Sequence, residues 1–417
     1  MTVNRPWGVI VDGYSTGNYL PPAFDALGFD LVHLQSTPEP MLTMLQPAAA
    51  SYREFLVMDE AVTPGLLAER KPAFVLAGQE PGVPLADRLA EELGLRGNGS
   101  ALSTARRDKA RMIATVAAAG LRTASQLCTD DAGEAVAWAV SGGHWPCVAK
   151  PLSSASTDGV RVCRTEQELR DAVVGVLGTR DIFGSANDRA LIQSYLTGTE
   201  YIVDTVSCDG RRRVCGVWRY EKRLSEHGRP LYNRDILVDP ADPVCGQLVP
   251  YAGEVLDALG IVNGPAHAEI IVGADGPALV EVGARLNGNM HPAMHQACLG
   301  LDQAELTALA YGDPERFLSG YADTPYSIRQ PAVVYNTPTS LSGRVVGVDD
   351  AVVSRIRALP GVVDLTVKKK PGDRIDPTED LLTSPLRVFL TDQDAEQLDR
   401  DYLLVEELRE DVYTVEV

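Results

Sequence analysis

The first hundred residues alternate strand-like and helix-like runs, and this alternation is the feature that most constrains the fold. The strand-like runs are WGVIVDG, FDLVHLQ, FLVMD and AFVLAG, and the helix-like runs include NYLPPAFDALG and PLADRLAEELGL. Such alternation predicts a parallel sheet with helices on its faces. GYSTG, residues 13–17, follows the first strand, where open α/β sheets place ligand loops. It is neither GxGxxG nor a Walker A sequence, so a tight strand-to-helix turn is the preferred interpretation.

Length and composition exclude several classes of protein. The 417 residues, 45% hydrophobic and 23% charged, are typical of a soluble globular protein of about three domains. The net charge of −19 argues against broad binding to nucleic acid or anionic lipid, since both reward positive surface. The sequence shows no signal segment and no apolar run of about 18 residues, so we expect a cytoplasmic protein without a membrane partner. The seven cysteines include no CxxC pair, which predicts neither a disulfide framework nor a zinc site.

Composition shifts along the chain predict its domain organisation. GNGS at 97–100 is typical of a domain boundary, and the helical run ARRDKARMIATVAAAGL with Lys109 in its first turns follows it. We expect an N-terminal α/β domain over residues 1–100, a core over 101–320 with a small subdomain at about 121–195, and a mixed α/β closing domain over 321–417.

The stretch HAEIIVGADGPALVEV, residues 267–282, predicts an antiparallel hairpin with a glutamate on each arm. With a three-residue loop at 274–276, Gly273 faces Pro277 and Glu269 faces Glu281. Two carboxylates about 5 Å apart repel by about 3 kcal/mol. Mg²⁺, with Mn²⁺ as the alternative, would offset that repulsion and take further ligands from phosphate and water. A two-residue turn would instead shift the register by one and send the two glutamates to opposite faces.

Two further stretches are candidates for a nucleotide site. In VAKPLSSASTDGVRV, residues 148–162, Lys150 can reach phosphate oxygens, while a loop of small and hydroxylic residues can cradle them. In QSYLTGTE, residues 193–200, the backbone can bond adenine and Glu200 can accept from ribose hydroxyls. An ordinary hairpin and a surface glutamate are the alternatives for these stretches taken alone. The candidate phosphate and adenine residues are Ser153, Ser154, Ser156, Gln193, Tyr195 and Leu196.

The order of these motifs, a Lys in a helix, a Lys-Pro strand with a small-residue loop, QSYLTGTE, HAE and EVGAR, resembles the ATP-grasp superfamily over about residues 100–320. The resemblance implies an ATP-grasp fold, with an N-terminal parallel-sheet α/β domain, a small ATP-lid subdomain, a central antiparallel-sheet domain and a C-terminal mixed extension. It further implies phosphate contacts by Lys109 and Lys150, ribose contact by Glu200, and Mg²⁺ binding by Glu269 and Glu281. Arg285 matches the arginine that steadies the phosphorylated intermediate.

Within the superfamily, QSYLTGTEYIVDTV, VWRYEK, PAHAE and EVGARLNGN look most like bacterial L-amino acid ligases, the dipeptide synthetases of the bacilysin type. The sequence departs from the commoner family pattern at Gly283, where an asparagine ligand usually stands, and SSAST lacks the usual paired glycines. EVGAR without asparagine fits the dipeptide-synthetase branch. The branch implies ATP-dependent joining of two amino acids through an acyl phosphate, with specialised metabolism as the setting. Such ligases are often dimers.

Substrate contacts are predicted from position in the sequence. Candidates for the amino acid substrates are Arg219, Lys222, His267, Asn287, Asn289 and His291. For His267 a buried core histidine is the equal alternative, and His227 and Arg229 lie in a polar loop that could close over substrate. His295 pairs with His291 on a helix without a third ligand, so zinc is rejected. Two other functions stay open: a γ-glutamyl ligase, for which Arg219 with Lys222 would hold the donor α-carboxylate, and an ATP-binding regulatory protein without catalysis.

Overall fold

The computed structural model describes residues 5–42, 44–154, 158–224 and 230–416. Helices often begin at a side chain that accepts from the first turn, as Asp108, Asp131 and Thr165 do. The α-helices of the described residues are α1 (Leu20–Asp25), α2 (Thr63–Arg70), α3 (Val83–Glu92), α4 (Lys109–Ala118), α5 (Ala132–Gly142), α6 (Glu166–Val176), α7 (Cys245–Ala258), α8 (Pro292–Leu299), α9 (Gln303–Gly312), α10 (Pro314–Gly320), α11 (Asp350–Arg357) and α12 (Ala395–Leu408).

The strands form four sheets. Short 3₁₀ helices lie between them at Ser15–Tyr19, Ala49–Ser51, Glu80–Gly82 and Thr104–Arg106. The strands of the described residues are β1 (Trp7–Val11), β2 (Asp30–Gln35), β3 (Glu54–Val57), β4 (Val75–Ala77), β5 (Gln126–Thr129), β6 (Cys147–Pro151), β7 (Arg161–Cys163), β8 (Ala190–Ser194), β9 (Thr199–Cys208), β10 (Arg211–Leu224), β11 (Pro230–Leu237), β12 (Gly264–Gly273), β13 (Gly276–Gly283), β14 (Ala332–Asn336), β15 (Gly343–Val348), β16 (Val362–Val367), β17 (Arg374–Ile375), β18 (Leu386–Thr391) and β19 (Tyr413–Glu416).

The N-terminal sheet has the order β3-β2-β1-β4, and its strands are parallel, as the alternating sequence predicts. Apolar residues of β1 and β4 are buried on both faces, which a parallel sheet covered by helices requires. GYSTG forms the turn from β1 into a 3₁₀ helix, so its interpretation as a strand-to-helix turn is confirmed. The turn brings Ser15 to the carboxyl edge of this sheet, where ligands of open α/β sheets bind.

The second sheet, β5-β8-β6-β7, is antiparallel and has α5 and α6 packed on it. It carries its own small core of alanine, valine, leucine and cysteine side chains. A separate core lets such a unit move as one body relative to the rest of the molecule. We refer to residues 126–194 as the lid.

The third sheet has the strand order β13-β12-β9-β10-β11-β14-β18-β16, and its strands are antiparallel. β14, β18 and β16 come from the C-terminal segment, so this segment extends the central sheet and adds a small sheet, β17-β15-β19, beside it. These elements form the ATP-grasp architecture that the resemblance implies. None of the cysteines is in a disulfide. None of the helices in the described part of the chain has the length and hydropathy needed to cross a membrane.

Candidate active site

A cleft of about 1010 Å³ is lined by residues of the N-terminal domain, the lid, the central sheet and the C-terminal segment. The lid contributes Lys150 and Gln193, and the central sheet contributes Glu269. Glu80 follows β4 of the N-terminal sheet, and Arg387 comes from β18. The cleft therefore contains side chains from sequence positions more than three hundred residues apart.

Glu269 and Glu281 face each other across the β12–β13 hairpin, as predicted. The turn differs from the prediction, because Gly273 pairs with Gly276 and the loop has two residues, 274 and 275. A bulge shifts the register between Glu269 and Ile270, so that Val280 is the extra residue. The bulge offsets the one-residue shift of the short turn and keeps both carboxylates on the cleft face.

Lys109 and Lys150 approach the glutamate pair from two elements. Lys109 begins α4; its Nζ lies 2.8 Å from Oε2 of Glu281 and donates to the carbonyl of Ser154. Lys150 is the last residue but one of β6 and is buried. Burial lowers the pKa of Lys150 to about 8, with the charge of Lys109 adding to the effect and that of Glu281 opposing it.

Glu281 is held ionised by these cations. Burial alone would raise its pKa, but the charges of Lys109, Lys150 and Arg285 outweigh burial and lower the pKa to about 2. A buried carboxylate surrounded by three cations is stable only while its partners remain in place. The cluster has an excess of positive charge and therefore suits a polyanion.

Residues that the sequence assigns to adenine and ribose also line the cleft. Gln193 on β8, with Tyr195 and Leu196 after it, is among them, and their contact with adenine stays a prediction. Glu200 lies here too, but Lys222 and the hydroxyl of Tyr232 donate to its two carboxylate oxygens. Burial raises the pKa of Glu200, against the charge of Lys222.

The predicted pair of Arg219 and Lys222 lies in two different places. Lys222 lines the cleft, where it is held by Glu200 and lies over the ring of Tyr232 at 4.4 Å, and its contact with a substrate carboxylate stays a prediction. Arg219 lies outside the cleft, in a small surface pocket with Asp239. Neighbouring strand residues point to opposite faces, so Tyr220 and Lys222 reach the cleft while Arg219 does not.

Arg285 lies in the cleft and is held there by an acidic side chain and a backbone carbonyl. Its Nη2 lies 3.3 Å from Oε1 of Glu80, and its Nη1 donates to the carbonyl of Leu286. Its Nε is buried and has no partner among the described residues. Arg107 binds the other oxygen of Glu80 at 3.3 Å, so Glu80 joins two guanidinium groups.

His267 and Asn287 share one buried carboxylate, that of Asp204. Nδ1 of His267 lies 2.8 Å from Oδ1 of Asp204, and Nδ2 of Asn287 donates to Oδ2 at 2.8 Å. Burial alone would lower the pKa of His267, but its hydrogen bonds to Asp204 and Glu269 raise the pKa to about 9. His267 is thus both a satisfied buried histidine and a residue of the cleft lining, which answers the two alternatives together.

The remaining predicted residues divide between the cleft and other roles. Asn289 and Ser154 line the cleft, whereas Ser153 is not part of its lining. His291 is not among the described residues that line the cleft; it is the N-cap of α8, where its Nδ1 accepts from the backbone N–H of Met294 at 3.4 Å, and its ring packs on Phe389. Ser156, His227 and Arg229 were also predicted and lie outside the described residues.

Sequence reasoning missed Glu80 and Arg387. Glu80 had a usable signal, since GQE directly follows the strand AFVLA at the carboxyl edge of the parallel sheet. Arg387 had none, because its strand lies about a hundred residues after EVGAR and only the pairing of β18 with β14 brings it to the cleft.

Comparisons with known proteins agree with this geometry. Residues 144–293 match the family described as the ATP-grasp domain. Dapdiamide A synthase of Enterobacter agglomerans is 34% identical over 398 residues, which cover 92% of this chain and 91% of that protein. The fold is similar to that of the L-amino acid ligase from Bacillus licheniformis, with a TM-score of 0.76 and 19% identity over 100% of this chain and 99% of the other.

A second solved structure, N5-carboxyaminoimidazole synthetase from Staphylococcus aureus complexed with ADP, is similar with a TM-score of 0.67 and 14% identity over 98% and 99% of the two chains. These structural likenesses show the fold, and the curated relative shows the family because it is matched along most of both chains. The chain belongs to the ATP-grasp family and is an ATP-dependent carboxylate–amine ligase.

Proposed function

We propose that this enzyme joins two amino acids by a peptide bond in specialised metabolism. ATP would convert the donor carboxylate to an acyl phosphate, and the amine of the acceptor would displace the phosphate, leaving ADP. The observation that carries the proposal is the cluster of Lys109, Lys150 and Arg285 around the paired glutamates in one cleft. The name of the curated relative, a dapdiamide synthase, supports an amino acid derivative as substrate.

We further propose that Glu269 and Glu281 hold Mg²⁺ with the phosphates of ATP. The two carboxylates stand opposite each other, and a hard ion that takes one or two protein carboxylates fits this pair. Within the described residues no group of three or more His, Cys, Asp or Glu side chains could hold an ion. Phosphate and water would therefore complete the coordination. When bound, the ion would neutralise charge on the transferring phosphoryl group.

The cationic side chains of the chain would act at the same phosphoryl group. Lys150 lies at a strand end and can contact phosphate oxygens. Lys109 is ion-paired with Glu281, so it would lie close to phosphates that bind beside this glutamate. Arg285 offers a fork of donors, with an unpartnered Nε, to the acyl phosphate and to the oxyanion formed when the amine attacks. Removing one such donor typically costs about 3 kcal/mol of transition-state stabilisation.

His267 and Asn287 would position the donor. Both are tied to Asp204, so their side chains are fixed before substrate binds. The carboxylate of Glu80 lines the cleft beside Arg285 and can bind the ammonium group of the donor. The γ-glutamyl alternative is weakened, because the pair Arg219 and Lys222 on which it depended does not form in the cleft.

The experiment is phosphate release by the purified enzyme with ATP and Mg²⁺ across all pairs of proteinogenic amino acids, with mass spectrometry of active wells. A product mass equal to the sum minus water, with ADP as the nucleotide product, is expected. Transfer of one ¹⁸O atom from a labelled donor carboxylate to phosphate would support the acyl phosphate, whereas AMP formation would contradict it.

Variants of the cleft give the matched test. We expect Lys150→Ala and Glu281→Gln to lose turnover by roughly 100- to 1000-fold while staying folded. Arg219→Ala, which alters an arginine outside the cleft, should retain wild-type turnover. Full turnover by folded Lys150→Ala would refute the proposed site.

A further inference from the structure

Arg387 is a cleft residue whose guanidinium bonds no carboxylate directly among the described residues, although the charge of Asp235 acts on it from nearby. Its Nη1 donates to the carbonyl of Gly288 at 3.1 Å, and its Nε donates to Oδ1 of Asn336 at 3.0 Å. Both partners are neutral, and none of the ion pairs found in the described part of the chain includes Arg387. Burial lowers the pKa of Arg387, which is the effect of a guanidinium placed in a site without a directly bonded carboxylate.

The position of Arg387 is fixed by the central sheet. On β18 it pairs with Asn336 of β14 on one side and Thr366 of β16 on the other. Its hydrogen bond to the carbonyl of Gly288 places the guanidinium against the loop after β13, three residues beyond Arg285. A rigid strand therefore holds a cation in the cleft that also contains Arg285.

Asn289 lies beside this cation and is oriented by a buried acid. Its Nδ2 donates to Oδ2 of Asp235 at 2.6 Å, and its backbone N–H donates to Asn287. No hydrogen bond to its amide oxygen occurs among the described residues, and the residue lines the cleft. The amide oxygen of Asn289 can therefore accept from the amine of an α-amino acid, and the guanidinium of Arg387 can donate to its carboxylate.

The two amino acids differ in whether the carboxylate keeps its charge during the reaction, and this difference indicates which of them binds beside Arg387. The donor carboxylate becomes the peptide carbonyl, so its charge must be handled at Arg285 and the lysines, where phosphate is transferred. The acceptor keeps its α-carboxylate from binding to product release. A fixed cation at the edge of the reacting centre can stabilise that retained carboxylate throughout the cycle.

We propose that Arg387 binds the α-carboxylate of the amino acid whose amine attacks, and that the amide oxygen of Asn289 accepts from that amine, so that the two residues form the acceptor subsite. The inference rests on the proposed function and assigns its second substrate to residues of the C-terminal segment. It makes the enzyme selective for free α-amino acids over their amides and over simple amines.

The test compares one acceptor amino acid from the pairwise screen with its α-carboxamide, at saturating ATP and donor. For the wild type we expect a KM for the amide roughly 10- to 100-fold above that for the acid, the range of a charged hydrogen bond. In Arg387→Met the KM for the acid should rise to that of the amide, while the KM values for ATP and donor stay unchanged. Arg387→Lys should recover part of the preference.

A matched control is Arg355→Met, which removes an exposed arginine of α11 in the same segment. It should behave as the wild type. Equal KM values for acid and amide in the wild type would overturn the inference even if no Arg387 variant folded, as would a rise in the KM for the donor in place of the acceptor. Absence of any amino-acid-dependent ADP formation by the wild type would instead refute the proposed function, and this inference with it.

Discussion

At the scale of single residues, Gly283 shows how the site tolerates a departure from the family pattern. A Cβ built at this position would lie 3.0 Å from Oε1 of Glu80 and 3.2 Å from Nε of Arg285. The space next to the hairpin is therefore filled by the Glu80–Arg285 ion pair. An asparagine at 283 would have to displace this pair before it could reach a metal.

We predict that Gly283→Ala lowers kcat by about tenfold, because Arg285 must move by a few tenths of an ångström from its working position. The expected change in the free energy of unfolding is small, since the crowded atoms are the flexible ends of side chains. Steady-state kinetics and urea unfolding would measure the two effects. Gly65→Ala, where the added Cβ has nothing within 4 Å, is the control and should change neither kcat nor folding appreciably.

A second residue-scale prediction concerns His33, which is buried under the GYSTG turn. The backbone N–H of Gly13 donates to Nε2 of His33 at 3.1 Å, and burial lowers the pKa of His33 to about 4. The unfolded state binds the proton first, near pH 6.5, so the stability that His33 contributes above pH 6.5 is lost as the pH falls toward 4. The free energy of unfolding of the wild type minus that of His33→Gln should fall by about 1.4 kcal/mol per pH unit in this window. A constant difference from pH 7 to 4.5 would contradict the prediction.

Residue types in a motif were predictable from sequence, whereas their orientation was not. Lys109 and Arg285 were assigned through the resemblance to the ATP-grasp superfamily, and Lys150 was assigned also because it lies at a strand end. Arg219 and Lys222 are only three residues apart, and the direction of each depends on the face of β10 that the sheet turns toward the cleft. No local signal gives that direction.

At the scale of elements, the β12–β13 hairpin shows the same limit. Its sequence predicted two strands, a turn and facing glutamates, but a turn of two residues combined with a bulge gives the same facing pair as the expected three-residue loop. The apolar alternation cannot distinguish these solutions, because both bury the same residues on β12. Only the register of β13, set by packing of Leu279 in the core and Val280 in the cleft, identifies the bulge.

Helix α4 allows a prediction at this scale, because its first residue is Lys109. Asp108 caps the helix by accepting from the backbone N–H of Arg111 at 2.9 Å. Asp108→Ala should reduce the free energy of unfolding by about 1 kcal/mol and raise the KM for ATP, since the turn that aims Lys109 frays. Asp108→Asn should restore both, as its side-chain oxygen can still accept.

The cap of α5 in the lid is the matched control for this prediction. Asp131 accepts from the backbone N–H groups of Gly133 and Glu134, but α5 carries no lysine of the cleft. Asp131→Ala should lose similar stability with an unchanged KM for ATP. Equal KM effects in the two alanine variants would show that Lys109 is not positioned by its helix cap.

At the scale of the whole molecule, the sequence predicted the kinds of sheet but not how the C-terminal segment joins them. A mixed α/β run at 321–417 was visible, yet β14, β18 and β16 extend the central sheet beyond β11, and this long-range pairing has no local signature. Arg387 reaches the active site only through that extension. We propose that the C-terminal segment completes the active site and is not a detachable domain.

The N-terminal domain is joined to the core by a buried ion pair. Arg106 binds Asp87 of α3 at 2.7 Å, with side chains 1% and 7% exposed. The same guanidinium donates to the carbonyls of Leu259 and Gly260 after α7, so it connects the parallel sheet to the central domain. Loss of either charge would leave the other buried without its charged partner, and such losses cost about 3–5 kcal/mol.

We therefore predict that Asp87→Asn and Arg106→Met each lower the free energy of unfolding by about 3–5 kcal/mol, and that the double variant loses less than the sum of the two. Urea unfolding followed by circular dichroism would measure the cycle. Arg88→Met is the control, because Arg88 neighbours Asp87 but pairs with the exposed Glu60, and it should cost at most about 1 kcal/mol. If the two single losses simply add, the ion pair does not couple the domains, and the four carbonyls that Arg106 contacts at residues 98, 99, 259 and 260 would account for its whole effect.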